Sequence, residues 1–228
     1  METIIKAFSK PVWEIVGPSI WDTLFMTITS TILTVVFGLI FGIILATTDK
    51  GGLRSLPIFN GIFGAVINAV LSLPAMIVII LTLPLSKLIV GVTYGPKACI
   101  IALSVACIPM FARLVENSIL EVPKGKIEAI KVMGANNIDI IFKVMLPEAL
   151  PNLIRNFSVI TITLISVTAI AGSFGAGGLG DIAVRYGYNR FRTDVLIAAV
   201  GTLLVMVEFI QISGALLAKF IMKKRHLI

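Results

Sequence analysis

Long uncharged apolar runs alternate with short charged segments along the chain. Residues 23–48 (26 residues), 55–86 (32) and 156–180 (25) contain no Asp, Glu, Lys or Arg. Each exceeds the roughly 20 residues that a helix needs to cross a bilayer. Two further runs bring the expected spans to five: 98–112, which must extend past its charged ends to cross, and 195–218, interrupted once by Glu208. The 55–86 run carries Pro57, Pro74 and Pro84. A broken helix or two re-entrant pieces is therefore the alternative there, because neighbours in a membrane satisfy the carbonyls that proline frees. The pattern predicts an all-α polytopic membrane protein with five transmembrane helices.

Composition agrees with this pattern. With 57% hydrophobic and 14% charged residues and a mean hydropathy of +1.04, the chain holds far more apolar side chains than one soluble core uses. Residues 1–21 lack a continuous apolar run, and the run that follows is too long for a cleaved signal, so the first span is expected to remain as an anchor. Of the 19 Lys and Arg, 12 fall near residues 49–57, between Arg113 and Arg155, or in the tail with Lys219, Lys223, Lys224 and Arg225. The positive-inside rule then puts the N-terminus outside and the tail and central polar loop in the cytoplasm. The net charge of +7 needs no nucleic-acid partner, since its densest clusters lie at membrane exits beside anionic headgroups.

Local patterns refine the expectation. On the first span Thr23, Thr27, Ser30, Thr31, Thr34, Gly38 and Gly42 recur every three or four residues and share one face. Small residues there let another helix approach closely; the alternative is a hydroxyl-lined solute path. Gly175, Gly177 and Gly180 match a dinucleotide-binding GxGxxG spacing, but an apolar helix precedes them where that fingerprint needs a strand. A compact outer turn that ends a helix, or a hinge at the mouth of a pathway, fits this stretch better. Cys99 and Cys107 lie eight residues, about 12 Å, apart on one helix, too far for a disulfide and suited to buried small side chains. Glu208, a carboxylate within an apolar span, is a candidate solute or proton site, or is protonated or paired with Gln211. His226 reads as a solvated terminal residue.

The segment from Glu116 to Pro147 is polar yet patterned. Pro123 is placed to begin a short helix and Gly134 to end it. Ile127, Ala129 and Ile130 give that helix an apolar side, which needs a partner surface, another protein or the membrane face. Asn136 is placed to cap a second helix by accepting from the amide of Asp139. That second helix runs through Ile140, Ile141 and Phe142 toward Leu146 and Pro147, making a stiff lever between two spans.

Glu128, Ala129, Gly134, Leu146 and Pro147 resemble the EAA coupling loop of type I ABC importer permeases, with Ile130 in place of the usual third alanine and Val144 in place of the common isoleucine. Ala112–Asn117, Glu148–Pro151 and Gly175–Gly180 extend the resemblance over about residues 20–213, and within the class it is most similar to permeases of methionine (D- and L-methionine) uptake systems. The resemblance implies an external segment 1–19, a transmembrane domain 20–213 with its coupling loop at about 116–147, and the end of the last helix with a basic tail at 214–228. It also implies a homodimer in a bacterial inner membrane. Glu128, Ala129, Ile130, Gly134, Leu146 and Pro147 would meet a cytoplasmic ABC ATPase subunit, and a substrate-binding protein, a lipoprotein, would dock outside.

No GxxxxGK[ST] loop is present, so ATP and Mg are expected on the partner ATPase, with no cofactor in this chain. Substrate-contacting residues are not identified by the sequence. A permease for another amino acid or small polar solute is the near alternative. A self-powered secondary transporter is the more distant one, lacking the internal repeats such carriers contain. A membrane enzyme has no support: HExxH, Cys/His metal spacing and a paired nucleophile and base are all missing.

Overall fold

The computed structural model describes residues 2–224, so Arg225 and His226 lie outside the described residues. Every regular element within them is helical. A short α1 (Glu2–Ala7) precedes the 39-residue α2 (Lys10–Thr48), which at 1.5 Å per residue is about 58 Å long. That is nearly twice a hydrocarbon core. The first third of α2 packs outside the apolar run found in the sequence: Val12 and Val16 are buried with Leu179, Ile182 and Val195. The boundary expected at residue 20 therefore falls inside one helix, as does the one at residue 214.

Among the described residues, four helices are long and apolar enough to cross a membrane: Lys10–Thr48, Gly95–Leu120, Asn137–Gly172 and Thr193–Phe220. The fifth expected span is a broken pair, α3 (Pro57–Leu71) and α4 (Ala75–Val90), bent by 107°, and the count of five holds when the pair is one span. The break falls at Pro74, which lacks an amide hydrogen and disfavours helical angles at Leu73. Pro57 sits harmlessly in the first turn of α3. α5 (Gly95–Leu120) leads to α6 (Lys124–Val132) and α7 (Asn137–Ile140). A π turn (Ile141–Met145) joins α7 to α8 (Leu146–Gly172); α9 (Gly178–Ile182), a second π turn (Ala183–Tyr188) and α10 (Thr193–Lys224) follow.

The core lies where α2, α5 and α8 meet, with Met26, Leu103, Phe111, Ile160 and Leu164 buried. At Gly38 and Gly42 the small-residue face of α2 is a packing face against α5. A Cβ on Gly38 would come within 2.8 Å of the Phe111 ring, and one on Gly42 within 2.5 Å of Val115 Cβ. Ser30 donates to the Ile100 carbonyl of α5 (3.4 Å). Thr27, Thr31 and Thr34 are buried on the same face, and their hydroxyls lack a hydrogen-bond partner among the described residues. Cys99 and Cys107 are free and buried.

Two ends of the bundle are defined by its loops. At one, the Gly95 amide donates to the Gly175 carbonyl (2.9 Å), and the Leu179 amide donates to Thr23 Oγ1 (2.8 Å). These bonds gather the α4–α5 loop, the glycine stretch and the start of α2. At the other, basic end, the α2–α3 loop flanks α6. Glycine closes the first end in two ways. Gly175, Gly177 and Gly178 adopt φ near +80°, and Gly180 lies so close to α8 that a Cβ would come 2.3 Å from the Ala169 carbonyl oxygen.

Candidate functional site at the basic end

The α5–α8 connection folds as local chemistry dictates. Pro123 precedes α6, and Gly134 ends its turn at φ +87°, a left-handed value that costs any residue with a Cβ about 1–2 kcal/mol. The Gly134 amide donates to the Lys131 carbonyl (3.1 Å) and the Ala135 amide to Ile130 (3.3 Å), which uses carbonyls that the helix end leaves open. Asn136 Oδ1 accepts from the Asp139 amide at 2.8 Å and caps α7. Instead of a separate second helix, α7 continues through the π turn into α8. Leu146 and Pro147 thus open a membrane helix rather than close a loop. Pro147 sits in the first turn of α8, where its missing amide hydrogen costs nothing.

Glu128, Ala129 and Gly134 are exposed, whereas Ile130, Leu146 and Pro147 are half-buried. Ile127 and Ile130, expected to await an external partner, instead pack on the chain's own core. Periodicity had located the apolar face of α6 but not what covers it. The exposed apolar surface of this segment is Val132, Met133, Ile138 and Phe142, between 63% and 88% accessible. These four were missed because they are divided between two helices and form no single stripe: Val132 and Met133 end α6, Ile138 lies in α7 and Phe142 in the π turn.

A cleft of about 220 Å³ separates α6 from the α2–α3 loop, lined by Asp49, Lys50, Lys124, Glu128 and Lys131. Glu128 is thus a carboxylate among lysines on an open surface. Lys126 Nζ reaches Glu148 Oε2 (2.8 Å) and ties α6 to the start of α8. At that exposure such a pair contributes at most about 1 kcal/mol, so it fixes orientation more than stability. Asp139 pairs with Lys143 across the π turn.

A second polar group sits deeper. Arg113 of α5 donates through Nη2 to the Gly64 carbonyl (3.0 Å) and to Asn68 Oδ1 (2.9 Å). Its Nε also donates to Asn68 Oδ1 (3.1 Å), and its Nη1 to Glu116 Oε2 (2.6 Å). The guanidinium thereby fastens α3 to α5. Glu208 lies on an exposed face of α10 with Gln211, and neither makes a hydrogen bond or ion pair among the described residues. No group of three or more His, Cys, Asp or Glu among the described residues is arranged to hold a metal.

This arrangement offers an exposed helix and turn as a contact surface at the basic end. Residues 38–223 match the family model of binding-protein-dependent transport system inner membrane components. The chain is 48% identical over 204 residues to the methionine import system permease protein MetP of Bacillus subtilis, covering 90% of this chain and 92% of that one. It is 42% identical over 207 residues to the probable D-methionine transport system permease protein MetI of Vibrio cholerae, again covering 90% and 92%. An inward-facing structure of the MetNI methionine ABC transporter superposes with a TM-score of 0.91 at 36% identity, covering 94% of this chain and 99% of that one. The chain belongs to the family of binding-protein-dependent transport system inner membrane components.

Proposed function

We propose that this permease subunit moves methionine across the inner membrane. Two copies form the pathway, and each seats its α6 on a cytoplasmic ABC ATPase subunit. ATP and Mg belong to that ATPase, and this chain contributes no cofactor and no catalytic group. A substrate-binding protein, a lipoprotein, delivers the solute from outside. The N-terminus lies outside and the basic end in the cytoplasm, in line with the distribution of Lys and Arg.

The observation that carries this reading is the exposed helix and turn at the basic end: Glu128 and Ala129 on α6, Gly134 at positive φ, and Val132 and Met133 beside them. A rigid apolar knob with charge at its rim suits docking into a protein cleft. Ile130, Leu146 and Pro147 are half-buried and hold that knob on the bundle, while Glu128, Ala129 and Gly134 touch the ATPase. The substrate follows from the methionine relatives and is tested separately.

Reconstitution with the partner ATPase and binding protein is the test. Glu128→Lys and Gly134→Leu are expected to reduce methionine-stimulated ATP hydrolysis at least tenfold while the permease still folds. Wild-type rates in both variants would overturn the coupling assignment. A binding protein that retained another amino acid in place of methionine would overturn the substrate but leave the coupling intact.

A further inference from the structure

The Arg113 clamp joins the part of the molecule that meets the ATPase to the broken span, α3 and α4. Three residues, Glu121, Val122 and Pro123, separate α5 from α6. Val122 and Ile119 are buried in the core against which Ile127 and Ile130 of α6 pack. The lower end of α5 and α6 therefore form one packed unit, and interiors of this density transmit displacement.

α3 is more exposed, tied to α2 near its start by Asn60 Nδ2, which donates to the Leu45 carbonyl (2.8 Å) and to Thr48 Oγ1 (3.0 Å). Gly64 and Ile67 are its buried residues, while Ile58, Ile62 and Val66 are 80%, 64% and 58% accessible. Ile67 packs with Leu45 of α2 and Ala112 of α5, and the hydrogen bonds that fasten α3 to α5 come from the guanidinium, one to the Gly64 carbonyl and two to Asn68 Oδ1. Gly64 makes room for this contact, since a Cβ there would sit 3.1 Å from Arg113 Nη2. Asn68 lies one turn before the Ser72–Pro74 break, where the chain turns through 107°. A charged side chain among membrane helices is costly unless it is paired and hydrogen-bonded, and the planar fork of arginine fits these acceptors as a lysine ammonium does not.

We propose that Arg113 is a positioning residue that conveys movement of α6 to the broken span, so that α3 swings about the Ser72–Pro74 break and opens or closes the pathway at the basic end. The inference rests on the importer reading given above. Glu116, bonded to Nη1, orients the guanidinium toward α3 and balances its charge.

The test uses the complete complex in proteoliposomes and reads two quantities, ATP hydrolysed and methionine taken up. Asn68→Ala and Arg113→Lys are expected to retain assembly and keep ATP hydrolysis within twofold of wild type, while methionine moved per ATP falls about tenfold. Asn68→Asp, which again offers oxygen acceptors to the guanidinium, is expected to recover most of that ratio. An unchanged ratio in Asn68→Ala would overturn the proposal. So would an Asp variant no better than Ala, or loss of assembly in all three variants, because each outcome assigns the clamp to packing alone. Absence of methionine uptake by the wild-type complex would overturn the importer reading instead. Spin labels at Ile62 in the two copies give a structural readout: their separation is expected to change on ATP binding in wild type and to stay fixed in Asn68→Ala.

Discussion

Thr23 shows how one hydroxyl serves two helices. Its Oγ1 donates to the Ser19 carbonyl (2.9 Å) and accepts from the Leu179 amide (2.8 Å), and it is 1% accessible. Thr23→Val keeps the shape but strands the buried Leu179 amide, at a cost of about 1–3 kcal/mol. The expected outcome is a lower melting temperature in detergent, with Thr23→Ser close to wild type; equal melting of Val and wild type would exclude this role. Asn136 was legible in the sequence because its cap depends on a residue three positions on, and the bond to Asp139 forms as the spacing suggests. The Arg113 clamp was not legible, because its acceptors Gly64 and Asn68 lie 49 and 45 positions away. Nothing local distinguishes that asparagine from any other polar residue in an apolar run.

Between elements, close approach matters more than hydrophobicity, since lipid competes equally well for apolar surface. The α2–α5 seam depends on it. A Cβ on Gly42 would meet Val115 Cβ at 2.5 Å and the Ala112 carbonyl oxygen at 2.6 Å. Gly42→Ala is expected to cost about 1–3 kcal/mol, read as a drop in melting temperature. Adding Val115→Ala removes the Cγ1 contact at 2.6 Å and should recover part of the loss and not all, because the Cβ at position 115 and the Ala112 carbonyl both remain in the way. Full recovery would show that side-chain crowding alone governs the seam. The stripe of small residues was legible as an interior face, as was the proline-marked weakness in the second apolar run. The angle at that break was not, because proline fixes where a helix yields and its neighbours decide how far.

For the whole molecule, the loops sort to two ends as the alternating spans require, and charge tells the ends apart. Tyr94 (75% accessible) lies at the end of the glycine stretch, and Ser55 is exposed at the basic end. In intact cells Tyr94→Cys is expected to react with a membrane-impermeant maleimide, and Ser55→Cys only after permeabilisation. Both native cysteines are buried and should add little background. The opposite labelling pattern would invert the proposed orientation. What the sequence left open was how the half of the molecule away from the ATPase is fastened together. The bond from the Gly95 amide to the Gly175 carbonyl links two loops through backbone alone, and the residue at each end has no side chain. Truncating the neighbouring side chains leaves the atoms of this tie in place, so tolerance of such changes should not be read as freedom of the two loops to move independently; Gly95 and Gly175, at φ +83° and +78°, are the positions where an added Cβ would disturb it.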